Sequence, residues 1–397
     1  MYHPTRRRAP FLAALLALPL SLALAACGSA RSEGSAGTVT SAQVVKESTD
    51  AVTRAYGTAD YTEPAADGPR PASGRNIWVI SAWQQVHALV YQGQEVSAAA
   101  ASLGWKTQVC DGRNNENGGW GGCVRQATAA RADGIILLAV DCAPVRQALV
   151  EARRAGVKIA SFSGFDCDDP SQGRSKALFD APARFSAATP TLADFYTRMG
   201  RLRADTVIAK TKGEAKILHV SFEDVAMGEY QAKGFTDRIA ACGGCRIVDS
   251  VKISPADVPG IRQKFETALL KHPQVDVVTV DIDHFFVAGV QQALVAANRP
   301  GLLVVGGECQ IDNMNYIRSG KGQEICYGAS AGYRAYATVD ALDRAFQGSL
   351  PATAGVGLQI IDRTRNMPAP GTEYTGPIDY SALYKKAWNR KGGAEAP

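Results

Sequence analysis

Short apolar runs alternate with amphipathic helical segments from residue 75 onward. The first run, residues 76–81, is mainly apolar, as expected of a strand buried on both faces. A helix is predicted over residues 90–103, because Gly104 is a favourable residue just beyond a helix end. Further strands are predicted at residues 106–110, 134–139 and 157–162, with helices at 122–131 and 144–155. This order indicates a parallel sheet with helices on both faces.

The same alternation restarts after Asp180. Helices are predicted at residues 191–211, 228–241, 259–271 and 285–297, and strands at residues 215–221, 246–252, 275–280 and 302–306. The pattern therefore predicts an α/β fold of two lobes, each with a doubly wound, Rossmann-like parallel sheet. A cleft is expected at the carboxyl ends of both sheets, where such folds bind ligands.

The segment before the first predicted strand has a different composition. Residues 28–74 are rich in Gly, Ser, Ala, Thr and Pro, with one predicted helix at residues 42–56. Residues 63–74 read as a linker, since they combine proline and glycine with little apolar periodicity. We interpret residues 27–74 as a tether with a short helix.

The N-terminus has the pattern of an export signal. Arg6–Arg8 precede an apolar run over residues 9–26, and this run ends in Leu-Ala-Ala followed by Cys27. This ending resembles the bacterial lipobox, so residues 1–26 are predicted to be removed and Cys27 to carry lipid. The alternative is a transmembrane anchor, but the run is near the lower length limit for a span and contains two prolines.

Composition and charge narrow the possible partners. The chain has 397 residues, 46% hydrophobic and 20% charged, which is ordinary for globular domains and excludes a wholly disordered chain. The formal net charge is +5, and three of these positive charges belong to Arg6–Arg8. The mature chain is therefore nearly neutral, and no electrostatic argument favours a nucleic-acid partner.

The cysteine pattern predicts disulfides. Nine cysteines are present. With Cys27 assigned to lipid an even number remains, which in an exported chain indicates disulfide bonds. Sequence order suggests four local pairs, Cys110–Cys123, Cys142–Cys167, Cys242–Cys245 and Cys309–Cys326. The Cys242-Gly-Gly-Cys245 stretch also fits a redox motif or half of a zinc site, but no second C-x-x-C or histidine pair accompanies it.

Sequence motifs of common enzymes are not present. The chain contains no H-E-x-x-H, no G-x-S-x-G and no G-x-x-x-x-G-K-[ST] sequence. The glycine-rich residues 118–122 lack the spacing of a dinucleotide-binding loop. We therefore expect no catalysis, no cofactor and no bound metal.

Several stretches along the chain resemble one family. They are Gly134–Leu138 followed by Asp141, and then residues 155–159, 233–235, 304–308 and 317–320. In this order they resemble bacterial solute-binding proteins of the ribose- and galactose-binding type, the type I periplasmic binding proteins that serve ABC importers. The resemblance covers about residues 75–365. Sugar-responsive repressors share these lobes, but their N-terminal helix-turn-helix is replaced here by the export signal.

The resemblance implies a domain organisation. In this family the chain crosses between lobes three times, and we place the crossings near residues 181–186, 329–332 and 356–360. The N-terminal lobe would comprise residues 75–182 and 330–357, and the C-terminal lobe residues 183–329 and 358–390.

The resemblance also implies site residues in the N-terminal lobe. Trp83 is a candidate ring platform for a sugar, with Gln84 and Gln85 as amide partners, although Trp83 alternatively covers the strand end. Phe162 and Ser163 occupy positions at which sugar binders of this family often have Asp-Arg. This difference argues against a simple hexose or pentose as the ligand. Asp166 is a candidate replacement for the acid, or else part of a solvated turn.

Further candidates follow the strands of the C-terminal lobe. Asp283 and Glu308 occupy positions of polar contact residues in the family, the alternative being a helix-capping or turn role. Glu229 stands where the family often has an arginine, and Ser330 and Tyr333 lie at the second crossing. With these placements the cleft holds more acid than base, so the solute supplies many hydroxyl donors or brings a cation such as an amine.

The expected protein is a monomeric receptor, anchored by lipid to the outer face of the cell membrane. It captures a small polar solute, a sugar or polyol, and presents it to an ABC permease and its ATPase. One alternative is a sensor that reports such a solute or an amine to a membrane kinase. Another is an adhesion or scaffold protein without a ligand.

Overall fold

The computed structural model describes residues 41–389. The predicted signal segment, Cys27 and the predicted lipid anchor lie outside the described residues, as do residues 390–397. Over residues 41–389, no helix has both the length and the hydropathy that a membrane span requires.

Strands and helices alternate along most of the described chain. The strands are β1 (Asn76–Ser81), β2 (Lys106–Asp111), β3 (Gly134–Leu138), β4 (Lys158–Ser161), β5 (Glu214–Phe222), β6 (Gly244–Ile253), β7 (Val277–Val280), β8 (Leu303–Gly306), β9 (Ile325–Gly328) and β10 (Gln359–Asp362). The helices are α1 (Ser41–Tyr56), α2 (His87–Ala101), α3 (Gly119–Ala129), α4 (Cys142–Arg154), α5 (Leu192–Lys210), α6 (Ala226–Ala240), α7 (Ile261–Lys271), α8 (Asp283–Phe285), α9 (Gln291–Ala297), α10 (Ile311–Ser319), α11 (Ala331–Phe346) and α12 (Tyr380–Trp388).

The N-terminal lobe has a four-stranded sheet in the order β2-β1-β3-β4, with every pair parallel. β1 and β3 lie in its centre, and all five residues of β3 are buried, which explains its continuous run of apolar side chains. Helix α2 packs with α11, and α3 packs with α4. The predicted α/β fold is confirmed for this lobe.

The C-terminal lobe has a six-stranded sheet in the order β10-β9-β8-β7-β5-β6. β5 to β9 pair in parallel, whereas β10 runs antiparallel to β9 at the edge. β9 and β10 were not predicted, because four residues carry too little periodicity to separate a strand from a buried loop.

The predicted helix at residues 285–297 is interrupted in the structure. Between α8 and α9 the segment Phe286–Val290 forms a π-helical turn, and Gly289 adopts φ 152°. A Cβ at Gly289 would lie 2.6 Å from the Cβ of Arg262 on α7, so glycine permits the close approach of these two elements.

Three segments connect the two sheets. The chain leaves the first lobe between β4 and α5, returns between β9 and α11, and leaves again between α11 and β10. The first and third segments run side by side, since the backbone N–H groups of Ala354 and Val356 donate to the carbonyls of Arg184 (3.1 Å) and Phe185 (2.8 Å).

The segment interpreted as a tether is packed from residue 41 onward, which corrects that part of the expectation. Helix α1 buries Val44, Ser48, Val52 and Ala55 and packs on α5 of the C-terminal lobe. Its buried side chains recur every three or four residues, which favours a helix that covers another element over an exposed spacer.

Residues 57–74, which include the predicted linker at residues 63–74, continue along both lobes. Thr62 N–H donates to the Gly355 carbonyl (3.0 Å), beside the third crossing. Further along, Ala72 N–H donates to Asp343 on α11 (2.9 Å), and Ala72 accepts from the indole of Trp105 (2.6 Å). Residues 41–74 therefore form a strap, the name used below, that runs from the C-terminal lobe past the crossings to the N-terminal lobe.

The C-terminal helix also differs from expectation. Residues 358–390 were assigned to the C-terminal lobe, and β10 does join that sheet. Helix α12, however, packs on α11, where Trp388 stacks on Tyr336 with ring centroids 5.6 Å apart and donates to Asp340 (2.9 Å). Burial of these large rings decides the position of α12.

Candidate ligand-binding cleft

A cavity of about 370 Å³ lies between the carboxyl ends of the two sheets. In the N-terminal lobe its lining follows β1, β3 and β4, at Trp83, Ala139 and Ser163. In the C-terminal lobe it follows β7 and β8, at Ile282 and Glu308. Both lobes therefore contribute walls, as expected for a ligand site at the carboxyl ends of parallel strands.

Among the contacts between the lobes are two that lie beside this cavity. Phe165 of the N-terminal lobe stacks on Tyr230 of α6 with ring centroids 5.2 Å apart, and the Tyr230 hydroxyl donates to Asp169 (2.7 Å). At the other place Trp83 meets His284 edge-on at 6.3 Å. The structure is thus one in which the lobes are closed on each other.

Much of the cavity wall is apolar. Trp83 and Trp120 line it from the N-terminal lobe, and Trp120 is fixed by donation from its indole N–H to the Ala82 carbonyl (3.0 Å). Phe222, Ile282 and Phe285 line it from the C-terminal lobe, and Phe222 meets Phe285 edge-on at 5.2 Å. Such rings can pack against the C–H faces of a small solute.

Asp141 and Glu229 bring carboxylates to the cavity from different lobes. Asp141 precedes α4 and accepts hydrogen bonds from the Phe165 N–H (2.9 Å) and the Gln172 amide (3.3 Å). Burial, opposed in part by these bonds, raises the pKa of Asp141 to about 6, and the neighbouring Asp169 and Glu229 contribute to the increase. Glu229 lies in the first turn of α6.

Glu308 follows β8 and lines the cavity beside Arg334. Burial raises the pKa of the Glu308 carboxyl, while the positive charge of Arg334 opposes the increase. Arg334 is only 5% exposed, and its guanidinium lies over the rings of Phe162 (4.5 Å) and Phe185 (4.8 Å). Its Nε and Nη2 atoms have no hydrogen-bond partner among the described residues.

Asp283 supports the loop that carries Glu308. Its side chain is fully buried and accepts from the Gln310 N–H at 2.6 Å. The loop approaches so closely that a Cβ at Gly307 (φ 73°) would lie 1.6 Å from the Asp283 carboxylate. Burial, together with the nearby charge of Glu308, raises the pKa of Asp283 well above its ordinary value.

The four disulfides pair as sequence order suggested. Three of them close loops that contribute to the cavity wall: Cys110–Cys123 beside Asn114 and Trp120, Cys142–Cys167 beside Asp141 and Ser163, and Cys309–Cys326 beside Glu308. Cross-links of this kind restrict the alternative conformations of such loops.

One group of metal-capable side chains occurs within residues 41–389, namely Cys142, Asp166 and Cys167. Both of its sulfur atoms belong to the Cys142–Cys167 disulfide. A disulfide sulfur is not a thiolate ligand, so a single carboxylate remains for any ion.

Four of the predicted ligand residues line the cavity, namely Trp83, Ser163, Glu229 and Glu308. The hydroxyl of Ser163 is engaged, because it accepts from the Ala139 N–H at 2.9 Å. The other predicted residues lie outside the lining: Gln84, Gln85, Phe162, Asp166, Asp283, Ser330 and Tyr333.

These other residues have structural surroundings. The Gln84 amide donates to the Ser81 hydroxyl (2.7 Å), and Gln85 is exposed. Asp166 accepts from three backbone N–H groups, those of Cys167, Leu178 and Phe179, and so organises its own loop. Phe162 lies beneath Arg334. Ser330 caps α11 by accepting from the N–H of Tyr333 (3.1 Å), whose hydroxyl donates to the Thr62 carbonyl (2.7 Å).

Sequence reasoning missed several lining residues, including Asp141, Trp120, Tyr196, His284 and Arg334. Asp141 offered a usable signal, because it comes shortly after a predicted strand, as Glu308 does. Arg334 offered none, because it lies in a helix that reads as core and reaches the cavity only through tertiary packing.

Comparison with known proteins identifies the family. A profile of the periplasmic binding protein domain matches residues 80–350. An ABC transporter solute-binding protein from Mycobacterium smegmatis with bound glycerol superposes with a TM-score of 0.63 at 15% identity, over 77% of this chain and 100% of that chain. The periplasmic binding component of the arabinose ABC transporter from Shewanella sp. ANA-3 superposes with a TM-score of 0.59 at 18% identity, over 79% of this chain and 95% of that chain.

A periplasmic ribose ABC transporter protein from Conexibacter woesei superposes with a TM-score of 0.60 at 17% identity, over 75% of this chain and 95% of that chain. No curated protein matches the chain in sequence. At sequence identities this low, the solved structures show only that the fold is shared. The family profile matches more than half of the chain, and this match establishes the family. The chain therefore belongs to the periplasmic binding protein domain family and is a binding protein rather than an enzyme, and its two lobes share the fold of ABC transporter solute-binding proteins.

Proposed function

We propose that this protein is an extracytoplasmic solute-binding lipoprotein that captures a small polar solute, a sugar or polyol, and delivers it to an ABC-type permease. The observation that carries the proposal is the cavity of about 370 Å³ with walls from both lobes. Its volume lies within the range of small-molecule sites, about 300–1,000 Å³.

Closure around the solute gives the permease a signal to recognise. A solute that contacts Trp83 on one lobe and Glu308 on the other binds the closed form better than the open form. Only such a difference in affinity can shift the equilibrium between the two forms. The three crossing segments are the places at which the lobes can rotate.

The polar groups of the lining suit hydroxyl-bearing solutes. Gln92 and Asn114 offer amides, and Glu308 offers a carboxylate that can accept from hydroxyl groups. Trp83 and Trp120 offer ring faces for C–H groups. The family and the fold support a carrier role, because members of this family bind solutes.

The proposed anchor rests on the sequence around Cys27. The strap packs on the lobes from residue 41, and residues 28–40, which lie outside the described residues, separate Cys27 from it in sequence. Labelling cells with a palmitate analogue should mark the protein, and Cys27→Ala should abolish labelling and release the protein from the membrane fraction. Retention of C27A in the membrane would contradict the lipid anchor.

The ligand is sought by calorimetry and thermal-shift screening of the purified protein against sugars, polyols, amines and nucleosides. Trp83→Ala and Glu308→Gln should each weaken binding of the solute found by about tenfold or more, roughly 1.4 kcal/mol. Gln85→Ala is the matched control, since Gln85 is exposed and lies outside the cavity lining. If E308Q and Q85A bind equally well, the solute does not occupy this cavity.

A further inference from the structure

Carboxylates from both lobes line the cavity without a matching number of cations. They are Asp141 from the N-terminal lobe, and Asp224, Glu229 and Glu308 from the C-terminal lobe. The basic lining residues are Arg334 and His284. Burial lowers the pKa of His284, so this ring is neutral at pH 7.

Asp141 and Glu229 have no ion-pair partner in the part of the chain that the structure describes. Arg334 lies near Glu308 and opposes the protonation of that carboxyl. The positive charge of Arg334 is therefore assigned to Glu308. The carboxylates of Asp141 and Glu229, which line the same cavity from different lobes and influence each other electrostatically, are left without a compensating positive charge.

We propose that the solute carries a positive charge that Asp141 and Glu229 hold between the two lobes, as in an amino sugar or a hydroxylated amine. This inference rests on the proposed function and specifies the chemical class of the solute. It adds a means of closure, because a cation between the two carboxylates removes the repulsion that opposes approach of the lobes.

The physical reason is desolvation. Closing the cleft on a neutral solute would remove water from two like charges in a cavity that is largely apolar. Such burial is unfavourable unless the charges are compensated or take up protons. A positively charged group supplies the compensation directly, and the faces of Trp83 and Trp120 further favour a cation.

Arg334 is a second observation that indicates a ligand. It lines the cavity, is only 5% exposed, and has two nitrogens, Nε and Nη2, without a hydrogen-bond partner. Buried donors of this kind require acceptors. Because Arg334 also lines the cavity, oxygen atoms of the solute can accept from its guanidinium, and an amino sugar or a hydroxylated amine combines such oxygens with a positive charge.

Titration calorimetry with pairs of solutes that differ in one charge tests the inference. D-glucosamine is compared with D-glucose and with the neutral N-acetyl-D-glucosamine, and 2-amino-1,3-propanediol with glycerol. In at least one set at pH 7.5 the charged member should bind ten times more tightly than its neutral partner. Neutral members that bind as tightly as or more tightly than the charged ones would overturn the inference and leave the proposed function standing.

If no member of any set binds, and no sugar, polyol, amine or nucleoside of the wider screen binds either, both the inference and the proposed function fail.

Variants test whether the two carboxylates cause the preference for the charged solute. The double variant Asp141→Asn/Glu229→Gln should lose the tenfold preference for the charged member over its neutral partner. Asp168→Asn is the control, because Asp168 is exposed and outside the lining.

The dependence of binding on pH is a second test, which uses the unmodified protein and so does not require the double variant to fold. Asp141 is faced by Asp169, Glu229 and the hydroxyl of Tyr196, and its pKa is about 6. Acidification from pH 7.5 to pH 5 should therefore weaken binding of 2-amino-1,3-propanediol, whose amine stays protonated over this range, since Asp141 takes up a proton. Binding of the charged solute that strengthens over this range would count against the inference.

Discussion

At the scale of single residues, a buried ionic cluster holds one wall of the cleft. Asp281 follows β7, is fully buried, and pairs with the guanidinium of Arg203 and with His219 Nε2 (2.9 Å). It also accepts from the N–H of Phe222 (2.9 Å). Burial opposes ionisation, but His219 and Arg203 hold the pKa of Asp281 below its usual value. The cluster thereby links the ends of β5 and β7, next to Phe222 and Ile282, which line the cavity.

Removing this central charge should destabilise the fold strongly. We expect Asp281→Asn to lower the free energy of unfolding by about 3–5 kcal/mol, because it leaves the buried Arg203 uncompensated. Urea denaturation measures the change. The control is Asp237→Asn in the exposed Lys233–Asp237 pair, where less than about 1 kcal/mol is expected. A similar loss for both variants would contradict a special role for the buried cluster.

Asp141 should show the opposite effect on stability. Because its pKa is raised to about 6 in the folded state, its ionised form destabilises the native protein above that pH. Asp141→Asn should therefore raise the melting temperature of the ligand-free protein at pH 7.5. The difference should shrink as the pH falls through 6 and vanish near pH 4, where the unfolded state also protonates. A lower melting temperature for D141N at pH 7.5 would refute this.

At the scale of secondary-structure elements, α1 depends on its contact with α5. An isolated helix of this length is marginal in water, so its stability derives from packing of one face. Val44 is fully buried, and Ser48 donates to Asp205 of α5 (2.8 Å), which also accepts from Arg238 (2.6 Å). A segment outside the matched family profile is thus part of the folded body.

Truncation of the buried face of α1 should reduce stability measurably. Val44→Ala removes buried apolar surface and leaves a cavity, so we expect a loss of about 1–3 kcal/mol in the free energy of unfolding. Thr53→Ala is the control, because Thr53 is exposed and bonds only within its own helix. It should change stability by no more than about 0.5 kcal/mol. If V44A behaves like T53A, α1 does not contribute to the folded body.

At the scale of the whole molecule, the strap adds a fourth connection between the lobes. It begins on α5, passes the third crossing at Thr62 and Gly355, and ends on α11 and near β2. Motion of the lobes about the crossings therefore has to move or bend the strap. We expect the strap to favour the closed arrangement, because opening would strain its hydrogen bonds on one lobe or the other.

Displacing the strap should shift the ligand-free protein toward more open forms. A Cβ at Gly355 would lie 1.9 Å from the carbonyl oxygen of Thr62, so Gly355→Val cannot keep this contact. We expect an increase in the radius of gyration measured by small-angle X-ray scattering. Gly260→Ala is the control, since an added Cβ there has no atom within 4 Å. An unchanged radius for G355V would mean that the strap does not restrain opening.

Much of the architecture could be predicted because it depends on local patterns. The run at 76–81 became β1 with the same bounds, and most helices begin and end within a few residues of the prediction. The disulfide pairs were predictable because each closes a short loop between neighbouring elements. Within the candidate site, the residues that could be predicted from the sequence are those that directly follow strands, such as Trp83 and Glu308.

The sequence by itself determined the alternation of strands and helices, the two α/β units and the local cross-links, since these follow from periodicity and short separations along the chain. The tertiary structure alone decided that Arg334 reaches the cavity from a core helix, that Asp141 and Glu229 line one cavity from different lobes, and that the supposed tether is a strap. These contacts join residues far apart in sequence, and packing across the two lobes, which no local pattern encodes, brings them together.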